Sequence, residues 1–106
     1  MKRFAWLSYD LSVGGDYDGL YAWLDDHAAK EAGDSVAVFW FDYEKNFYKE
    51  LKESLSQSVA LKSHDRIYVV ATRDGKAKGR FLFGKRRAPP WAGRGSASGE
   101  SEEDAG

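Results

Sequence analysis

Apolar residues run together or alternate in four stretches of this chain and recur at helical spacing in two others. Residues 2–10 carry Phe4, Ala5, Trp6, Leu7 and Tyr9, a β-prone run with apolar groups of both parities. Ser35–Phe41 (SVAVFWF) is the clearest strand, and Arg66–Thr72 (RIYVVAT) is another. Asp74-Gly75 then gives a two-residue hairpin signal, with Ala77–Phe83 as the returning strand.

Between the first two strands, Gly14 and Gly15 break the chain. Asp16 stands as an N-cap before Tyr17, Leu20, Tyr21, Leu24 and Ala28, which share one helical face. Two ends are open to this helix. It can continue to Ala32 with Gly33 as its stop, or finish near His27 and leave residues 28–32 as a short strand turning at Gly33-Asp34. Asp42 is expected to cap a second helix whose buried stripe is Phe47, Leu51, Leu55 and Val59.

Strand parity carries more than the strands themselves. Ala5, Leu7 and Tyr9 oppose Phe4, Trp6, Ser8 and Asp10. Val36, Val38 and Trp40 oppose Ala37, Phe39 and Phe41, and Ile67, Val69 and Ala71 oppose Tyr68 and Val70. Two helices of this length cover one face of such a sheet. The other face keeps large apolar groups, more than the few hundred Å² a monomer usually exposes. A second copy of the chain is the simplest cover, so a homodimer through the sheet face is expected.

Length and composition narrow the class. The 106 residues make one domain, 42% apolar and 15% aromatic, with no cysteine and so no disulfide or thiolate chemistry. No run approaches the roughly 20 apolar residues of a membrane span. MKRFAWLSYD lacks the apolar core of a signal peptide, so a cytoplasmic protein without membrane contact is expected. Residues 92–106, rich in Gly, Ser and acid, are expected to form a disordered acidic tail after a domain over residues 1–91.

The formal charge of -1 hides a gradient. Residues 1–65 hold seven basic and twelve acidic groups, residues 66–94 hold nine basic groups against Asp74 alone, and residues 95–106 hold four acids and no base. Lys76, Lys78 and Arg80 share one strand face, and Lys85, Arg86 and Arg87 follow. These six are the candidate nucleic-acid contacts, since phosphate contacts supply most affinity that ignores sequence. Edge-strand protection by charge, or pairing with the acidic tail, are the competing readings.

SYDL closing the first strand, the Gly-containing loop, DYDGLYAWL, GDSVAVFWF, KNFYKELKESL and DRIYVV together resemble the SinR-like proteins and the CRISPR-associated adaptation-module family over residues 3–72. The resemblance implies an α+β, ferredoxin-like antiparallel sheet, β-α-β-β-α-β plus an extra C-terminal strand, with helices on one face. It favours the short strand at residues 28–32; a doubly wound parallel sheet follows if those residues are helical. It also implies a homodimer and a nuclease in which Asp10 binds Mg2+ near the dimer axis and serves catalysis. The plainer reading of Asp10 is a turn residue bonding the backbone that follows it. The chain lacks that family's Arg-rich helix after the first loop. A non-catalytic dimerisation or adaptor module is the alternative function.

Other motifs carry less. DYDG at Asp16 starts like a calcium loop, but His27 occupies the twelfth position where Glu is needed. His27 and His64 stand alone, without a partnered nucleophile. KGRFLFG at Lys78–Gly84 imitates an RNA-recognition signature but lies on the strand after the second helix, not before it. It reads as an outer strand with Phe81 and Phe83 packed inward.

Overall fold

The computed structural model describes residues 1–96. Within them the chain runs β1 (Lys2–Asp10), α1 (Tyr17–Asp26), β2 (Lys30–Gly33), β3 (Val36–Asp42), α2 (Phe47–Ser58), β4 (Arg66–Arg73) and β5 (Lys76–Phe83). The strands form a single five-stranded sheet in the order β2-β3-β1-β4-β5, every neighbouring pair antiparallel. The protein is therefore α+β. None of the described helices is long and apolar enough to cross a membrane.

The open end of α1 resolves toward the shorter helix. His27 caps it, its ring stacked on Trp23 at 3.8 Å and its Nδ1 2.7 Å from the Trp23 carbonyl. Ala28 then turns through a positive φ of 53°, and β2 begins at Lys30. A helix over residues 28–32 is excluded, and with it the parallel sheet.

Parity sets the two faces. Ala5, Leu7, Ala37, Phe39, Phe41, Ile67, Val69 and Ala71 are buried beneath Leu20, Trp23 and Leu24 of α1 and Phe47, Leu51 and Leu55 of α2. Both helices thus cover one face. The other face carries Phe4, Trp6, Val38 and Trp40, with the ring of Phe4 5.1 Å from Trp6 and 5.2 Å from Trp40. Trp40 is 61% exposed.

Two expectations need correction. Asp42 does not cap α2. It still pairs across the sheet with Lys2 and meets the N-terminal amine at 3.3 Å, so the chain stays extended past it. Asn46 is the cap, its side chain accepting from the Lys49 N–H. The Glu50 carboxylate reaches back to the N–H groups of Glu44, Lys45 and Asn46, which ties the connection before α2 to the first turn of the helix. The second correction concerns Phe81. A register shift beside Ile67 and Tyr68 inserts a residue, so Leu82 enters the core while Phe81 lies on the open face against Tyr68, ring centroids 4.7 Å apart. Phe83 does pack against the core.

Asp74-Gly75 turns as expected, with φ of 53° and 76°, the left-handed pair that a tight two-residue hairpin requires. Farther along β5, Gly79 is buried because the Tyr68 side chain crosses it; a Cβ there would overlap the Tyr68 ring.

The end of the sheet where β1 finishes is tied by two carboxylates. Asp65, 1% exposed, accepts from the Ser12 N–H, the Ser12 hydroxyl and the Lys62 N–H, all within 2.8 Å. Burial alone would raise its pKa, but these hydrogen bonds outweigh it and hold the carboxyl below its ordinary value. Asp16 caps α1 through the Gly19 N–H and also accepts from the Ala60 N–H beyond α2. The Ala60 and Gly19 bonds hold its carboxyl low as well.

Candidate nucleic-acid interface

The six basic residues singled out in the sequence divide into two groups. Lys76, Lys78 and Arg80 lie at the start of β5, on the helix side of the sheet, opposite Arg73, Ala71 and Val69 of β4. Lys85, Arg86 and Arg87 follow the other end of the strand.

At the first end the chain assembles more charge than one strand supplies. Arg3 projects from the inner face of β1, Lys45 precedes α2, and Arg73 closes β4. These three join Lys76, Lys78 and Arg80 around a cavity of about 460 Å³, in which Asp74 is the one acidic lining residue. Asp74 meets Arg73 at 3.9 Å, both side chains largely exposed. No carboxylate among the described residues pairs with Arg3, Lys45, Lys76, Lys78 or Arg80.

Aromatic rings orient the two arginines. Arg3 donates from Nη2 to the Tyr43 hydroxyl at 2.8 Å, and its guanidinium lies 4.9 Å from the Tyr43 ring centre and 4.8 Å from that of Phe47. Arg80 lies 4.7 Å over the Tyr48 ring. Its Nε is enclosed and has no hydrogen-bond partner among the described residues. Tyr48 is fixed in turn by donating its hydroxyl to the Lys78 carbonyl at 2.6 Å. Burial pushes the Tyr48 hydroxyl pKa up, while Arg3 and Arg80 pull against that rise. Cations held over aromatic faces gain about 0.5–2 kcal/mol each and lose little freedom on meeting an anion.

The second group is occupied differently. Asp10 Oδ2 accepts from Arg66 Nη2 at 2.9 Å and from Arg87 Nη2 at 2.8 Å. Arg86 lies over the rings of Tyr68 and Phe81 on the open face, and Lys85 is exposed. Asp10 thus ends β1 clasped by two guanidiniums. A divalent cation needs several oxygen donors. Within one chain Asp10 meets two guanidiniums, both on Oδ2, and no cluster of three potential ligand residues is found among the described residues.

His27 is the helix cap described above, and His64 is exposed in the connection before β4. The expected acidic tail begins among exposed turns at Ala92–Arg94, and residues 97–106 lie outside the described residues.

Arg3 and Arg73 were missed as site residues, though a signal for both exists. Each shares parity with the buried residues of its strand, and an arginine on a core-facing position marks the rim of a site. Lys45 carries no such signal. Against family models, curated proteins and solved structures, the chain finds no match.

Proposed function

We propose that this chain is a ferredoxin-like protein, similar to the SinR-like and CRISPR adaptation-module families, that pairs through its open sheet face and binds nucleic-acid phosphates without sequence preference. The sheet order β2-β3-β1-β4, extended by β5, supports the fold assignment. The observation that carries the function is the convergence of Arg3, Lys45, Arg73, Lys76, Lys78 and Arg80 on one cavity with a single acid in its lining. Such a concentration of cations, of which Arg73 alone meets a carboxylate, raises the local phosphate concentration and releases counterions on contact.

This reading needs no metal; Asp10 Oδ2 pairs with Arg66 and Arg87. The cluster of cations supports binding, and cleavage by a Mg2+-dependent nuclease is tested separately through Asp10. The adaptor reading has its own support in the exposed Trp6 and Trp40, which suit a protein contact. Titration of labelled single- and double-stranded oligonucleotides separates the two. Binding that weakens steadily with salt is expected. Absence of binding to either at about 50 mM salt, where phosphate contacts are strong, leaves the adaptor in its place.

A further inference from the structure

The cavity beside α2 gathers its charge around aromatic side chains. Its cations stand around a concavity whose walls are Phe47, Tyr48 and the sheet residue Ala71. The volume of about 460 Å³ lies within the roughly 300–1,000 Å³ that holds a small ligand. Arg3 and Arg80 are stacked on rings before any ligand arrives. A planar guanidinium fork matches phosphate oxygens and is the residue of choice for them.

A phosphodiester inside a strand carries one negative charge and is ester-linked on two sides. Its neighbours obstruct entry into a concavity. A phosphate monoester at a strand end carries between one and a half and two charges near neutral pH, roughly as a phosphorylated side chain does, and is linked on one side only. Six cations against one acid in the lining favour the second. We infer that this cavity receives the terminal phosphate of a nucleic-acid strand, with Arg3 and Arg80 as its oriented donors and the exposed Lys78 beside them. This rests on the nucleic-acid reading and specifies which part of the strand is held.

The test compares one single-stranded oligonucleotide phosphorylated at its 5′ end, at its 3′ end, or at neither, titrated against the full chain. At least one phosphorylated form is expected to bind about tenfold tighter than the unphosphorylated strand, the difference one charge-assisted hydrogen bond makes. Arg80→Gln should remove that preference. Lys78→Gln, an exposed position, should reduce it and serves if the first variant does not fold. Lys85→Gln should weaken all three strands alike and leave the ratio unchanged. Equal binding of the three strands overturns the terminal-phosphate assignment and leaves the nucleic-acid reading standing. No binding of any strand sinks both. A nucleoside monophosphate that binds as tightly as the phosphorylated strand also overturns the assignment, since the site then takes a free nucleotide.

Discussion

The guanidinium of Arg80 rests 4.7 Å above the ring of Tyr48, and the same tyrosine donates its hydroxyl to the Lys78 carbonyl one residue short of Arg80's neighbour Gly79. One aromatic side chain of α2 thereby holds both the backbone and the charged group of β5. Removing the hydroxyl and removing the ring should have separable effects. Tyr48→Phe keeps the ring and should cost about 1 kcal/mol of stability, with little change in oligonucleotide affinity. Tyr48→Leu frees the Arg80 guanidinium and should weaken binding as well. Urea unfolding and oligonucleotide titration of both variants check this; equal losses of affinity in the two contradict it.

Asp65 is the carboxylate with most to lose. Its folded pKa lies below the unfolded value of 3.8. The stability it adds is therefore fully present above that value and is lost as pH falls through the lower folded one. Asp65→Asn should destabilise the protein at neutral pH by about 2 kcal/mol, since three donors lose a charged acceptor. The variant should also show a flatter fall in urea midpoint between pH 5 and 2 (about the window over which such carboxylates titrate). An unchanged slope would assign the acid sensitivity to Asp16 and other groups instead.

Asp10→Asn separates an ion-pair anchor from a catalytic group. The pairs with Arg66 and Arg87 are about half exposed. The expected stability change is below about 1 kcal/mol. Releasing two arginines should raise oligonucleotide affinity at low salt, and EDTA should not alter binding by either form. A loss of binding in the variant, or Mg2+-dependent cleavage by the parent that the variant lacks, would restore the metal reading.

Gly79→Ala tests the crossing of Tyr68. The added methyl must push the Tyr68 ring away, at a cost of about 1–3 kcal/mol typical of overpacking. Tyr68→Ala in the same chain should recover part of the loss. A double-variant cycle that shows no coupling would mean the two residues do not share that space.

Association through the open face predicts a dimer in sedimentation at tens of micromolar, roughly the range where a modest interface is populated. Trp40→Glu should give a monomer with its helices intact by circular dichroism. A parent chain already monomeric at that concentration removes the sheet-face dimer.

Much of this architecture can be read from parity alone. The alternation along residues 4–9, 36–41 and 67–71 assigns each side chain to a face, and Asp74-Gly75 needs no tertiary information to turn. The slip at Ile67/Tyr68 is invisible for a physical reason. Phe81, Leu82 and Phe83 are all apolar, so no polar neighbour marks which of them faces out. The Asn46 cap was hidden by Asp42, an equally good capping residue four positions earlier that the sheet retains. The cavity was half legible. Its β5 members stand in one run, but Arg3 joins them only through the order in which β1, β4 and β5 lie side by side. The Asp10 clasp was out of reach, because Arg87 stands 77 residues away and approaches through an irregular segment.

The double engagement of Asp16 bears on how the protein is made. Its Oδ1 caps α1, and its Oδ2 accepts from Ala60, 44 residues later. A nascent chain lengthens at about 5–20 residues per second, so Asp16 is made some seconds before the Ala60 N–H that its second oxygen meets. Ser12 waits longer, until Asp65 emerges. The loop after β1 therefore reaches its final hydrogen bonding only when the ribosome has passed the second helix. A chain halted within α2 lacks both partners of this loop, which should then be open to protease, and release of the halt should close it.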